Sequence, residues 1–436
     1  MKEVKKIKIG DVCDVVKGST GIMKAVPGKY PMVTLATERA LHEEYQFDCN
    51  AVIVQLVSST GHGHASMKRV HYQEGKFALG SILAAIIPKD EKYLHPKYLH
   101  IYLSYFKDEL LVSLMRGAAN VSLSISSIKT VEIIIPAYDK QLEIIKLEEI
   151  LSRQKKSLEV ELSGQKIIIQ KLRQAILQDS IEGKLTVDWR KKNPNVEPAS
   201  ELLKKIKAEK EKLIAEKKIK KEKHLPEISE KEIPFELPKE WEWCRLGDVG
   251  LFERGKSKHR PRNDERLFKK GNIPFVQTGD VARSKSNNFQ IKSCNKYYNE
   301  IGLKQSRLWE ENTLCITIAA NIAETGFLKM KACFPDSVVG FDSLLDLSIS
   351  KYVQYFFEVS KKNISDFAPA TAQKNINLGI INLLLFPLPP LSEQKVIVEK
   401  VETLMQELDK LEAEISQNKK TADSLMQSVL REAFES

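Results

Sequence analysis

The feature that most constrains this chain is that it is written twice. IGDVCDVVKGST at 9–20 aligns without a gap on LGDVGLFERGKS at 246–257, with Gly10-Asp11-Val12 on Gly247-Asp248-Val249 and Gly18 on Gly255. The echo continues with YPMV at 30–33 and IPFV at 273–276, and with NAVIVQLVSSTG at 50–61 and NTLCITIAANIA at 312–323. PKYLHIYLSYFKD at 96–108 resembles SKYVQYFFEVSKK at 350–362, and SLSISSIKTVEIIIPAYDKQ at 122–141 falls on NINLGIINLLLFPLPPLSEQ at 375–394. So long a period means a duplicated domain, not a solenoid of small repeats.

The duplication settles a tempting motif. GLFERGKS at 250–257 fits G-x-x-x-x-G-K-[ST], but a phosphate-cradling loop needs a strand before it and a helix after it. Ser257 is followed by KHRPRNDERLFKKGNIP, broken by Pro261, Gly271 and Pro274. In the twin, Cys13 stands at Gly250 and Ser19 at Lys256. The shared element is a strand running into a glycine turn, without phosphate-loop chemistry.

Within each copy, apolar β-branched runs predict strands, in the first copy at Ala51–Ser58, Phe77–Ile87 and Thr130–Ile135. A helix near Pro96–Met115 carries Tyr98, Ile101, Tyr102 and Tyr105 on one face, and Tyr352, Tyr355 and Phe356 repeat the pattern. Helical spacing favours core over a base-stacking platform. The module reads as α+β.

Each copy ends in a long helix. Val401, Leu404, Leu408, Leu411, Ile415, Asn418, Ala422, Leu425 and Val429 alternate spacings of three and four, the seam of a coiled coil. The first copy matches with Glu148, Leu151, Lys155, Leu158, Leu162, Gln165, Ile169, Leu172 and Ile176. Gln165 and Asn418 are amides at one equivalent position, where a polar seam residue would fix register. Two such stripes bury each other most simply as an antiparallel pair; the alternative is two helices packing on their own modules. Between the copies, EPASELLKKIKAEKEKLIAEKKIKKEK at 197–223 predicts a lysine-rich helix with Leu202, Leu203, Ile206 and Leu213 as a thin apolar stripe, then a proline-spaced linker. This helix either touches phosphates or faces solvent or a partner.

The formal net charge of +10 favours a polyanionic partner, nucleic acid first, against a merely solvated lysine-rich surface. The six cysteines form no C-x-x-C pair, which suits a reducing cytosol. No apolar run of secretory length follows the basic first residues, and no run of about 18 apolar residues predicts a membrane span.

With the connector SELLKKIKAEKEKLIAEKKIKK…EIPFELPKEW, the run ELPKEWEWCRLGDVGLFERGKS…GNIPFVQTGDV and FPLPPLSEQKVIVEKVETLMQELDKLEAEI, the chain resembles the DNA-specificity subunits of type I restriction–modification systems over nearly its whole length. The resemblance implies two pseudo-repeated α/β target-recognition domains separated by two long antiparallel coiled-coil helices. It implies no catalytic activity, no cofactor and a prokaryotic cytoplasmic location. The implied partners are double-stranded DNA with a bipartite site, two methyltransferase subunits and motor–nuclease subunits. The expected limits are 1–138 for the first recognition domain, 139–183 for the central helix, 184–239 for the lysine-rich helix and linker, 240–388 for the second domain and 389–436 for the C-terminal helix. Helices of roughly 40 residues would span about 60 Å, and half-sites on one DNA face should lie about one turn, ~34 Å, apart. The chain departs from the usual pattern in its short lead-in before the first module and in reading PAYDKQLEI where the second copy has PPLSEQKVI, so the partner contacts there are the least transferable.

Candidate DNA contacts are chosen by charge and hydrogen-bonding capacity on loops. In the second copy they are Arg254, Lys256, Lys258, His259, Arg260, Arg262 and Arg266, diluted by Glu253, Asp264 and Glu265, then Gln277, Arg283 and Lys285 with Asn287 and Asn288. In the first copy they are Lys17, Ser19, Thr20 and Lys24, and Thr60, His62, His64, Lys68 and Arg69 beside Ser58 and Ser59. His62, His64 and His71 lack a nearby cysteine or carboxylate to complete a metal site, so none is expected. Other functions fit less well. NPNV at 193–196 lacks the second proline and the aromatic of an adenine-methyltransferase motif, and no nuclease-like carboxylate cluster is evident. The remaining alternative is a structural coiled-coil adaptor with non-specific DNA binding.

Overall fold

The computed structural model describes residues 6–21, 26–60, 63–118, 120–221, 224–319, 322–361 and 377–435. The chain divides into two compact units, residues 1–164 with 414–436, and residues 165–413.

In the first unit, β1 (Lys6–Lys8) leads into β2 (Cys13–Lys17), and the paired segments Tyr30–Val33 (β3) and Ala40–His42 (β4) precede Phe47–Asp48 (β5) and the fully buried Ala51–Gln55 (β6). His71–Gln73 (β7), Lys76–Leu79 (β8), Leu83–Pro88 (β9) and Glu132–Ile134 (β10) complete the strands. One sheet runs β2-β9-β6-β7, wholly antiparallel; another runs β4-β3-β8-β5; β1 pairs with β10. The sequence predicts a single strand over Phe77–Ile87. The chain turns instead at Ser81–Ile82, and β8 and β9 join different sheets. A continuous apolar run does not show which of two sheets each half serves.

The helix Pro96–Tyr105 ends short of the expected Met115. Tyr98, Ile101 and Tyr102 are buried in the core, as their spacing predicts. Phe434, near the end of the C-terminal helix (Leu391–Glu435), lies 5.3 Å from Tyr102, 5.6 Å from Tyr105 and 5.5 Å from Phe106, and Tyr105 donates its hydroxyl hydrogen to the carbonyl of Gln427 at 2.9 Å. The central helix (Tyr138–Ile181) crosses this unit antiparallel to that segment, with Lys155 2.7 Å from Asp423 and Glu159 3.7 Å from Lys419.

In the second unit, β11 (Glu242–Arg245) pairs with β19 (Leu385–Leu388). Leu251–Arg254 (β12) leads to the short strands Ile273–Pro274 (β13), Gln290–Ile291 (β14) and Tyr297–Tyr298 (β15), then to Leu314–Thr317 (β16), Thr325–Leu328 (β17) and Val338–Asp342 (β18). The main sheet runs β12-β18-β16-β17-β14. Its first four strands repeat the β2-β9-β6-β7 arrangement, and β11–β19 repeats β1–β10. The duplication is therefore one of framework; the remaining short strands differ between copies.

Tyr352, Tyr355 and Phe356 of the helix Leu347–Ser360 are buried, matching the core expectation. Leu202 and Ile206 of the lysine-rich helix (Ala199–Ala215) are buried in the same core, as is Ile181 of the central helix. Here too the long helices run antiparallel: Arg173 bonds Asp409 at 2.5 Å and Glu412 at 3.2 Å, and Lys400 donates to the Leu185 carbonyl at 3.1 Å. The ion pairs in each unit remove the alternative of helices packed only on their own modules.

The seam is narrower than the sequence predicts. Leu162, Ile169, Leu408 and Ile415 are buried, one per heptad, whereas Leu172, Leu411 and Leu425 are exposed. Gln165 and Asn418 are both exposed, not enclosed between the helices. Apolar heptad positions and flanking ion pairs line the pairing on either side of them. No helix among the described residues is long and apolar enough to cross a membrane.

Candidate nucleic-acid interface

The twin strand–turn elements start from the same physical constraint. A Cβ on Gly18 would lie 2.3 Å from the Gly80 carbonyl oxygen, and one on Gly255 2.3 Å from that of Phe334. Each turn is pressed against neighbouring backbone, which only glycine permits. Past Ser257 the chain is irregular rather than helical, in line with a strand–turn element and not a phosphate loop.

Beyond the turn the two copies diverge. In the first unit Lys17 is exposed at the end of β2. Ser19 donates through both its amide and its hydroxyl to Oε1 of Gln46 at 2.9 Å, and Gln46 returns a bond from Nε2 to the Lys17 carbonyl at 3.0 Å. Thr20 is tied by its backbone to Leu79 and Ser81. Lys24 and His62 lie outside the described residues. The second candidate loop is braced internally: Ser58 donates to the His64 carbonyl at 2.5 Å, and the Thr60 and Ser66 hydroxyls lie 2.9 Å apart. His64 and Lys68 are exposed, and the Lys68 amide bonds the Ser59 hydroxyl at 3.2 Å. Arg69 is half-buried and donates to the Thr37 hydroxyl.

Arg39, which loop charge patterning does not single out, donates to Oε1 of Gln73 at 2.9 Å and to the Tyr72 carbonyl at 3.1 Å, and its Nη1 lies 3.2 Å from Nδ1 of His71. A guanidinium can only donate, so His71 Nδ1 is the acceptor nitrogen of a neutral ring. Burial, and then the charges of Arg39, Arg69 and His100, push the His71 pKa down to about 4. Among the described residues no group of three or more His, Cys, Asp or Glu is placed to hold a metal.

In the second unit the basic loop is heavily self-neutralised. Arg262 sets Nη2 between the two Asp336 carboxylate oxygens at 2.8 and 2.9 Å. Arg266 holds Asp264 through Nη2 at 2.7 Å, and His259 Nε2 meets the same carboxylate at 2.7 Å. The Arg266 bonds, with help from His259, hold the Asp264 carboxyl well below the usual carboxylate range. Arg283 pairs with Asp280, Lys285 with Glu358 at 3.5 Å, and Arg307 with Glu253. Arg254 and Arg260 donate to backbone carbonyls, of Asp336 and Ser257. Lys256 and Lys258 are exposed and form no ion pair among the described residues. Gln277 caps the short helix Thr278–Arg283, its amide bonding Asp280 at 2.8 Å.

A shallow cleft of about 160 Å³ brings Arg262 and Gln277 together with Lys296 and Ser337. Lys296 is not among the residues singled out by sequence; it lies outside the basic run. The Arg262–Asp336 pair is exposed on both sides and worth only ~0–1 kcal/mol, so a phosphate in the cleft could displace Asp336 at small cost.

A family model described as the type I restriction modification DNA specificity domain matches residues 1–167 and 238–418. The type I restriction enzyme EcoAI specificity subunit of Escherichia coli is 34% identical over 283 residues, 59% of this chain and 44% of that protein. The corresponding EcoEI subunit, also of Escherichia coli, is 27% identical over 282 residues, 60% of this chain and 45% of that protein. Each match thus spans less than half of the curated relative. The crystal structure of the HsdS subunit from Thermoanaerobacter tengcongensis superimposes with a TM-score of 0.54 at 15% identity, over 99% of this chain and 96% of that one, a likeness of fold.

Proposed function

This chain belongs to the type I restriction–modification DNA specificity family, and from that premise we propose that it is the DNA-recognition and scaffold subunit of such a complex. Each module reads one half of a bipartite duplex target. The long helices set the unread spacer and dock two methyltransferase subunits, with motor–nuclease subunits joining for cleavage in the cytoplasm. The chain itself carries no catalysis and no cofactor. The observation that supports this best is the repeated four-strand framework under unlike loops: Ser19 and Gln46 come after the turn in one copy, Lys256, Arg262 and Arg266 in the other. A common scaffold with divergent polar loops suits two readers of different sequences.

The limits of the functional parts fall near 138, 183, 239 and 388, and the contact residues are those singled out on the loops, joined by Lys296. The test is to co-express the chain with a methyltransferase subunit and map the methylated adenines. Two separated half-sites are expected, with Arg262→Ala altering base preference in one of them. A one-heptad insertion in both long helices should change the spacer and leave both half-sites intact. Equal affinity for all duplexes, with no fixed methylation site, would reduce the chain to a coiled-coil adaptor.

A further inference from the structure

In the second unit Arg262, Arg266, Arg283 and Arg307 each meet a carboxylate. In the first unit Arg39 and Arg69 converge on Thr37, Arg69 on its hydroxyl and Arg39 on its carbonyl at 3.4 Å, and every acceptor they reach is neutral. Among the described residues neither forms an ion pair. Glu38 is adjacent in sequence but exposed, and Glu74 is engaged by Tyr72 at 2.9 Å and Lys97 at 3.6 Å.

Resting on the DNA-recognition reading, we propose that Arg39 and Arg69 form a two-guanidinium clamp for one backbone phosphate of the duplex. Arg39 is held in place by Gln73, Tyr72 and His71, so little of its freedom remains to be lost on binding. Arg69 is anchored only through Thr37 and is free to swing its fork onto the oxyanion. Guanidinium forks match phosphate oxygens in pairs, and a phosphate supplies the counter-charge this cluster lacks. The juxtaposition carries its own signature. Burial and Arg69 lower the Arg39 pKa; burial first, then both arginines and His100, lower that of His71, and burial lowers that of His100 against the opposing charge of Glu148. An oxyanion between the guanidiniums offsets their charge and lets His71 protonate more readily.

The experiment measures the salt dependence of full-chain binding to a target duplex and a scrambled duplex. Arg69→Gln is expected to weaken both duplexes alike and to flatten the log Kd against log salt slope by about 1, one phosphate's worth. Arg39→Gln should do the same, and the double variant should lose no more than about 1 in total, because both residues serve one phosphate. Arg69→Gln removes only the Thr37 bond, so it keeps the test open if Arg39→Gln fails to fold. As a second readout, saturating duplex should raise the titration midpoint of the His71 ring resonance, and millimolar inorganic phosphate should not match it. An unchanged slope in Arg69→Gln, with wild-type discrimination between duplexes intact, overturns the clamp and leaves the recognition reading standing. A flattened slope in Arg69→Gln, with a wild type that does not discriminate between the duplexes, keeps the clamp and sinks that reading. Inorganic phosphate shifting His71 as far as duplex does, with an unchanged DNA slope, marks a free-anion site and also overturns it.

Discussion

Replacing Arg190 by methionine isolates a buried charge that holds the second unit to its connector. The Glu393 side chain is 0% exposed. Its Oε1 accepts from Arg190 at 2.6 Å and from Thr186 at 2.6 Å, and its Oε2 accepts from the Trp241 indole at 2.8 Å. Arg190 also donates to the Gly183 carbonyl at 2.6 Å, so the cluster ties the end of the central helix, the connector and the start of the C-terminal helix together. Removing one partner of a buried pair costs ~3–5 kcal/mol. Thr186 and Trp241 still solvate the carboxylate, which places Arg190→Met near ~3 kcal/mol.

All four tryptophans, Trp189, Trp241, Trp243 and Trp309, lie within residues 165–413, so their fluorescence reports this unit alone. With a urea m-value of ~2–3 kcal/mol/M, the midpoint should fall by about 1 M or more. Glu393→Met should cost a comparable amount by stranding the Trp241 and Thr186 donors. The double variant should be far less damaged than the sum, because two apolar side chains replace the pair. Single-variant losses below ~1 kcal/mol, or effects additive to within ~0.5 kcal/mol, would falsify the claim that this pair organises the unit.

Phe434→Ala empties a site walled by aromatic rings of the first unit; it should cost ~3 kcal/mol, seen as a lower midpoint of the far-UV circular dichroism transition. Gly164 sits inside the central helix with open space around its Cβ position, so Gly164→Ala should add ~0.5–1 kcal/mol, whereas Gly255→Ala, driven into the Phe334 carbonyl, should destabilise tryptophan-monitored unfolding. His71 titrates lower in the folded chain than its ordinary value of about 6.5. The unfolded state therefore takes up the proton first, and this contribution to stability is full above pH ~6.5 and is lost as pH falls toward 4. His71→Gln, which keeps an acceptor for Arg39, should lose less stability than the wild type between pH 7 and pH 4.5; parallel curves would show that His71 is not held neutral.

Much of the architecture was legible because it is periodic. Duplication, the aromatic core faces and the long helices are patterns in one dimension, and burial follows periodicity directly. The departure PAYDKQLEI against PPLSEQKVI also had a physical meaning: Lys140 stands where Glu393 anchors the second unit, and the first unit has no such buried pair among the described residues. The seam is narrower than its spacing implies for a related reason. Heptad spacing selects a helix face, and how much of that face is covered depends on what lies against it.

By itself, the sequence determined that there are two like modules, each followed by a long helix, and which residue types crowd their loops. Tertiary structure alone decided which of those charges are already neutralised. Arg262 follows β12 and Asp336 precedes its sheet neighbour β18, while Arg39 and Arg69 come from loops of two different sheets; both pairs are far apart in sequence, and no spacing rule encodes their meeting. A charge acts on a ligand only to the extent that its neighbours have left it uncompensated, and those neighbours are chosen by the fold.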